Sequence, residues 1–192
     1  MRHIIIASAL LAALPLSAHS ASESYTIDPS HTYPHFKINH LGFSTMMGRF
    51  NETKGKLTID MKNKTGSVDI TINAASVDTA HKKRDDHLRS PDFLNAAEFP
   101  EITYKSTGVM IHDDKSVHID GTLTIMGTSK PVSLHVNSMN CGLHPFDPKK
   151  QKFVCGFDAV TQIKRSDFGI TYGSPGIGDE MELFIEVEAV RD

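Results

Sequence analysis

The residues best suited to chemistry lie in one charged stretch, between residues 76 and 100. Cationic, acidic and imidazole side chains alternate within it: His81, Lys82, Lys83, Arg84, Asp85, Asp86, His87 and Arg89. One interpretation is a solvated helix face, where pairs such as Lys82–Asp86 and His81–Asp85 each add a few tenths of a kcal/mol. The other is a cationic rim over a cavity with an apolar floor of Leu88, Phe93, Leu94 and Phe99. Such a rim suits a ligand with a polar head and an apolar tail.

Catalytic signatures are absent from the sequence. HExxH, GxSxG, the P-loop and GxGxxG do not occur. His81, Asp85 and His87 could converge on a metal ion, but residues 81 and 87 fall on different faces of a helix. The adjacent carboxylates of Asp85 and Asp86 point apart, and a Ser–His–Asp combination has no local signature. We therefore predict a protein that is not an enzyme, with no catalytic residues and no metal.

The charged stretch predicts the one sizeable helix of the chain. Ser76 or Asp78 can cap its start by accepting from a free backbone N–H. Helix-forming residues follow up to Leu88, and Ser90-Pro91 ends the helix, because a residue before proline avoids the α region. A short turn at residues 92–95 then presents two large apolar side chains.

The remaining sequence predicts β-strands, because apolar residues alternate with polar ones. The segments run near residues 34–39, 57–61, 68–73, 102–104, 117–125, 132–136, 153–163 and 181–189. About eight antiparallel strands with one helical interruption favour an all-β fold, a closed barrel with one helix and a short helical turn covering it. A barrel of this size is filled by its own side chains or holds one small ligand. The apolar cluster at residues 41–50 fits either a filled barrel or a pliable mouth.

The first 21 residues predict a cleavable secretory signal. Arg2 is followed by an apolar run too short to span a bilayer and then by small residues, with cleavage after Ser20 or Ala21. We thus expect residues 1–21 to be a signal peptide, residues 22–192 to form one domain, and the product to be periplasmic or secreted. No later run is long enough to be integral to a membrane. The net charge of −3 argues against a nucleic-acid partner.

The two cysteines predict a disulfide. Cys141 and Cys155 flank a stretch rich in turn formers, so they suit two strands joined by a long loop and pinned at its base. Closing such a loop is worth roughly 3 kcal/mol in the chain-entropy model. A redox or metal pair is the alternative, but CxxC spacing is missing.

A set of short motifs, in order along the predicted domain, resembles one known family. The matching segments are Tyr25-Thr26-Ile27-Asp28 with His31, His40-Leu41-Gly42-Phe43, Gly48-Arg49-Phe50, Ser76-Val77-Asp78-Thr79, Arg84-Asp85, residues 87–95, Phe99-Pro100, Gly121-Thr122-Leu123-Thr124, residues 128–132 and Asp167-Phe168-Gly169. They resemble the YceI-like family of periplasmic proteins associated with polyisoprenoid binding.

This resemblance implies a lipocalin-like barrel that holds a long isoprenoid or quinone-like lipid in its lumen. It also implies that catalytic machinery is absent and that the protein could form a homodimer. The lipid would then be the bound molecule, with no other cofactor. The tail of the lipid would lie in a tunnel lined by Phe36, Ile38, Leu41, Phe43, Met47, Phe50, Leu88, Phe93, Leu94, Phe99, Leu123, Phe157 and Phe168. Arg84, His87 and Arg89 would meet the head group or brace the helix, and Asp85 would hold Arg84 or Arg89 in place.

Two alternatives stay open on the sequence. One is a secreted enzyme that modifies a lipid or quinone, which needs a nucleophile and a base converging in the cavity. The other is a stress-induced structural protein, whose barrel would be packed with side chains.

Overall fold

The computed structural model describes residues 22–113 and 116–192, so the predicted signal peptide lies outside the described residues. One sheet contains all the described strands. They are β1 (Glu23–Ile27), β2 (Tyr33–His40), β3 (Ser44–Phe50), β4 (Thr53–Asp60), β5 (Thr65–Asn73), β6 (Val77–Asp78), β7 (Glu101–Asp113), β8 (Ser116–Ile125), β9 (Thr128–Leu143), β10 (Phe153–Lys164) and β11 (Ile177–Arg191).

Eight of these strands close into a barrel. Their order is β1-β4-β5-β7-β8-β9-β10-β11, and β11 pairs again with β1 where Ala189 faces Ile27. All pairs are antiparallel, so the predicted all-β barrel of about eight strands is confirmed. The long β11 carries β1 near its C-terminal end and β2 along the rest of the same edge. Strands β2, β3 and β6 therefore branch off as an extension of the wall.

Strand β8 shows why the sequence folds this way. Its residues alternate without interruption between half-buried and buried, from Ser116 to Ile125. Since successive side chains in a strand point to opposite faces, Val117, Ile119 and Leu123 all face the interior. This period of two puts one apolar row of each strand into the lumen and leaves the other facing outward.

Strands β9 and β10 part from each other half-way along the barrel. Ser138 pairs with Asp158 but Val136 pairs with Ala159, so Asn137 is an extra residue on β9 and forms a β-bulge. The pairing ends at His135 and Val160, although both strands continue. The 3₁₀ turn at Arg165–Phe168 lies beyond this point and contacts both strands.

The helix α1 spans Lys82–Leu88 and is shorter than predicted. The predicted caps are wrong, because His81 occupies the capping position and its Nδ1 accepts from the Arg84 N–H. Ser76 instead ends a 3₁₀ turn at Ala74–Ser76, and its hydroxyl donates to the Asn73 carbonyl. Asp78 belongs to β6 and accepts from the Ala80 N–H. Local backbone partners thus take up both side chains before the helix begins.

The predicted disulfide is confirmed. Cys141 on β9 and Cys155 on β10 are directly opposed and bonded, with their Cα atoms 4.1 Å apart. The bond closes the loop between these strands at its base. Among the described helices, none has the length and apolar character that crossing a membrane requires.

Candidate functional site

The barrel encloses a cavity of about 420 Å³. Its lining is mainly aliphatic and aromatic, and it draws on the inward rows of most strands. The volume falls in the range of small-molecule sites. The predicted alternative of a barrel filled by its own side chains therefore does not fit the lumen.

The residues predicted to bind a ligand divide into two groups in the structure. Most of them line the cavity: Phe36, Ile38, Met47, Phe50, Arg84, His87, Leu88, Phe93, Leu94, Leu123 and Phe157. They come from six separate parts of the chain, and the barrel brings them together. Phe36 and Phe50, on different strands, pack with ring centroids 6.0 Å apart.

The other predicted residues lie away from the lining, each for a local reason. Leu41 and Phe43 occupy the turn between β2 and β3, where they are 52% and 89% exposed. Phe99 packs its ring over Gly127, a glycine with positive φ in the β8–β9 turn. Phe168 is buried at the 3₁₀ turn beside β9 and β10, where it belongs to the core. Arg89 donates to the carbonyls of the segment before α1 and to Asp86.

One end of the cavity is covered by α1 and the turn that follows it. The His87 ring packs edge-on against the rings of Phe93 and Tyr172, with ring centroids 5.0 Å apart in both pairs. The centroids of the Phe93 and Tyr172 rings are 5.2 Å apart. The His87 Nε2 also contacts the Asp92 carboxylate at 2.9 Å. Three rings, one from α1, one from the turn after it and one from the loop before β11, thus close this side, and all three line the cavity.

Arg84 brings a positive charge to the cavity wall. Its Nε donates to the Thr79 hydroxyl at 2.7 Å and its Nη2 to the Thr79 carbonyl at 2.6 Å. The buried Asp85 carboxylate accepts from the Thr79 hydroxyl and from the Thr79 N–H. Asp85 therefore holds Arg84 in place through Thr79. Within the described residues, the Nη1 group of Arg84 has no hydrogen-bond partner.

Arg165 is a site residue that sequence reasoning missed. It lines the cavity, is 3% exposed, and donates to the backbone carbonyls of four residues: Ile170, Tyr172, Ile177 and Gly178. Burial lowers the pKa of this guanidinium, and nearby Asp179 opposes that shift. The signal in the sequence was weak, since Arg165 stands in a polar run between two strands.

Tyr104 and Thr53 add polar groups to the lumen, and neither was predicted. The Tyr104 hydroxyl lies 3.0 Å from the Val132 carbonyl and 3.2 Å from the Ile119 carbonyl, and burial raises the pKa of this phenol. The Thr53 hydroxyl is buried and has no hydrogen-bond partner among the described residues. It is therefore free to meet a polar atom of a ligand.

The residues that could hold a metal ion are different from His81, Asp85 and His87, which the sequence offers as candidates for a metal site. His81, Asp85 and His87 each serve a different local partner. Within the described ranges, one group has metal-ligand spacing, namely Asp28, His31 and Glu188, whose ligand atoms lie within 4.8 Å of one another. His31 is exposed, and Asp28 already accepts from Ser30 and His31.

A family model matches most of this chain. The model of the YceI-like domain matches residues 25–189. The chain belongs to the YceI-like family. The resemblance read from the sequence motifs is thereby confirmed.

Other YceI-like proteins agree with this assignment. The chain is 39% identical to "Protein YceI" of Salmonella arizonae over 194 residues, which cover 100% of this chain and 99% of that protein. A Campylobacter jejuni YceI protein of known structure is 31% identical, with a TM-score of 0.71 over 80% of this chain and 90% of that one. A polyisoprenoid-binding domain from Saccharophagus degradans shares the fold, with 15% identity and a TM-score of 0.65 over 88% and 99% of the two chains.

Proposed function

We propose that this protein binds a long-chain isoprenoid or a related amphiphilic lipid in its barrel lumen and stores or transports it without catalysis. The observation that carries the proposal is the cavity of about 420 Å³ with a predominantly apolar lining. Burying an apolar tail there contributes about 0.8 kcal/mol per CH₂ group. The polyisoprenoid-binding domain with the same fold supports a ligand of this class.

The head group of the lipid belongs at the end covered by α1. Arg84 and His87 line that end. Thr79 accepts hydrogen bonds from Nε and Nη2 of Arg84, so the Nη1 group remains to bind the head group. A guanidinium binds phosphate or carbonyl oxygens well. Arg89 braces the segment instead, through its bonds to the Ala75 and Val77 carbonyls.

The protein works outside the cytoplasm in this proposal, in the periplasm or as a secreted carrier. Two features support that location. Residues 1–21 have the pattern of a signal peptide. The disulfide between Cys141 and Cys155 suits an oxidising compartment.

Native mass spectrometry of the protein isolated from its own cells, followed by organic extraction, tests the proposal. We expect a stoichiometric adduct of isoprenoid mass, which also identifies the lipid. A clean apo mass, with no uptake of a quinone or a polyprenyl phosphate afterwards, contradicts the proposal.

A pair of matched variants locates the lipid. Leu183 lines the cavity, while its neighbour Phe184 is 40% exposed and does not line it. Leu183→Trp fills the lumen and should reduce the bound lipid several-fold. Phe184→Trp adds bulk outside and should leave the lipid content unchanged. Equal lipid content in both variants argues against binding in the lumen.

A further inference from the structure

An exposed apolar turn stands at the same end of the barrel as the covered mouth. Phe43 and Leu41, in the turn between β2 and β3, are 89% and 52% exposed. These two residues are called the apolar tip below. Large apolar side chains that group at one exposed end of a protein often mark an interaction surface.

Backbone contacts tie this tip to the mouth of the cavity. The Leu41 N–H donates to the Gly176 carbonyl at 2.7 Å, and His40 pairs with Ile177. Gly176 belongs to the same loop as Tyr172, whose ring packs against His87 and Phe93. The apolar tip and the aromatic cover of the cavity are therefore attached to one loop.

Segment 82–89 packs through His87 against Tyr172, in the loop that bonds to Leu41, and this segment is net positive. Segment 82–89 carries four cationic side chains against two carboxylates. Asp85 is buried, and Asp86 is taken up by Lys82 at 2.8 Å and by Arg89 at 3.0 Å. Lys83 is exposed and has no ion pair within residues 22–113 and 116–192. Exposed apolar side chains together with unpaired basic ones are the pattern by which proteins attach to an anionic lipid surface.

We propose that the apolar tip and Lys83 of α1 dock this protein on an anionic lipid bilayer, with the mouth of the cavity facing the membrane. The inference rests on the proposed function, because a lipid carrier must exchange its ligand with a bilayer. In this orientation Phe43 and Leu41 enter the interface, and Lys83 meets lipid phosphates. Tyr172, at 47% exposure, lies between the lipid surface and the lumen.

The chain offers a control at the far end of the barrel. Phe146, in the loop between β9 and β10, is 88% exposed. That loop begins the twelve-residue strand β10, whose other end leads to the mouth, so the two ends lie about 35 Å apart. Lys149, in the same distant loop, is likewise exposed and matches Lys83.

Vesicle flotation of the purified protein tests the docking. The probes are vesicles of equal parts phosphatidylglycerol and phosphatidylcholine, and vesicles of phosphatidylcholine alone. We expect the protein to float with the anionic vesicles. Phe43→Ser should weaken binding about tenfold, and Lys83→Glu about fivefold on anionic vesicles only. Phe146→Ser and Lys149→Glu should bind as the unchanged protein does.

Three results would overturn the docking. The first is that the unchanged protein does not float, and the second is that Phe146→Ser loses as much binding as Phe43→Ser. The third is that Phe43→Ser abolishes a dimer in solution but floats normally. The last result would make the tip a contact between two copies. Lipid content of the unchanged protein, measured in the same preparation, separates the two proposals: lipid without flotation refutes docking alone, and flotation without lipid refutes the proposed function alone.

Discussion

Arg84 and Thr79 are joined by two hydrogen bonds at the covered end of the barrel. The guanidinium donates to both the hydroxyl and the carbonyl of Thr79, and the hydroxyl donates onward to the buried Asp85. One carboxylate thereby fixes the approach to α1 and the direction of an arginine that lines the cavity. The charged stretch is partly a solvated face, as at Lys82 and Asp86, and partly a rim over a cavity.

Removing the charge of Asp85 should destabilise this end of the molecule. Asp85→Asn exchanges a charged acceptor of two hydrogen bonds for an amide that accepts them less well. We expect a loss of about 1–3 kcal/mol in the free energy of unfolding, measured by urea denaturation. Asp86→Asn, next to it but exposed, removes only surface ion pairs and should lower the urea midpoint much less than Asp85→Asn does. Equal midpoints for the two variants would show that the Thr79 contacts carry no stability.

Arg165 should be essential for the loop that carries Tyr172. Arg165→Met keeps much of the side-chain bulk but leaves four backbone carbonyls without their donor. We expect a loss on the order of 3 kcal/mol in the free energy of unfolding and faster amide hydrogen exchange in residues 169–178. The neighbouring Lys164→Met supplies the control, since Lys164 is exposed. Unchanged exchange in the loop of the Arg165 variant would refute this role.

Gly121 should tolerate no side chain, because the Tyr104 ring lies over it. A Cβ at this position would stand 2.4 Å from the Tyr104 ring and 2.8 Å from the Lys105 carbonyl oxygen. We expect Gly121→Ala to lower the free energy of unfolding by about 1–3 kcal/mol. At Gly108, on the adjacent strand β7, the same change meets nothing within 4 Å and should be nearly neutral. Thermal unfolding of the two variants distinguishes them, and a Gly121→Ala melting temperature equal to that of Gly108→Ala would contradict the packing argument.

Acid should destabilise the protein partly through Asp28. The pKa of this carboxyl is lowered to about 2, mainly by the hydrogen bond from the Ser30 hydroxyl, with a smaller contribution from His31 and against the opposing effect of burial. Because the folded pKa is below the unfolded one, the stabilisation is complete above about pH 4 and is lost as the pH falls towards 2. Allowing for solvent screening, it amounts to about 1 kcal/mol.

Asp28→Asn removes this titration and provides the measurement. Urea unfolding at several pH values between 2 and 6 should show a shallower acid limb for the variant than for the unchanged protein. The acid limb of Asp60→Asn serves as the comparison. Asp60 lies at an exposed turn, where hydrogen bonds from Asn63 likewise lower the pKa of the carboxyl. Parallel acid limbs for Asp28→Asn and the unchanged protein would show that Asp28 does not contribute.

The sequence alone determined the fold class and the disulfide, and most of the residues that it predicted to bind a ligand line the cavity. Alternation is a local property, and in strands such as β8 it specifies which side chains point inward whatever their neighbours are. The prediction of strands from alternation failed where a strand has no alternating pattern. The predicted strands omitted β1, which helps to close the barrel, and β3, whose glycines suggested a mouth.

Tertiary structure alone decided which predicted residues reach the lumen. Leu41, Phe43 and Phe168 look like lining residues because they are large and apolar. A hairpin turn, however, carries the first two outward, and the 3₁₀ turn buries the third in the core. Arg165 shows the converse, since its role depends on carbonyls that only the folded loop brings around it. Local patterns fix the face of a strand, whereas the position of a turn depends on contacts between segments far apart in the chain.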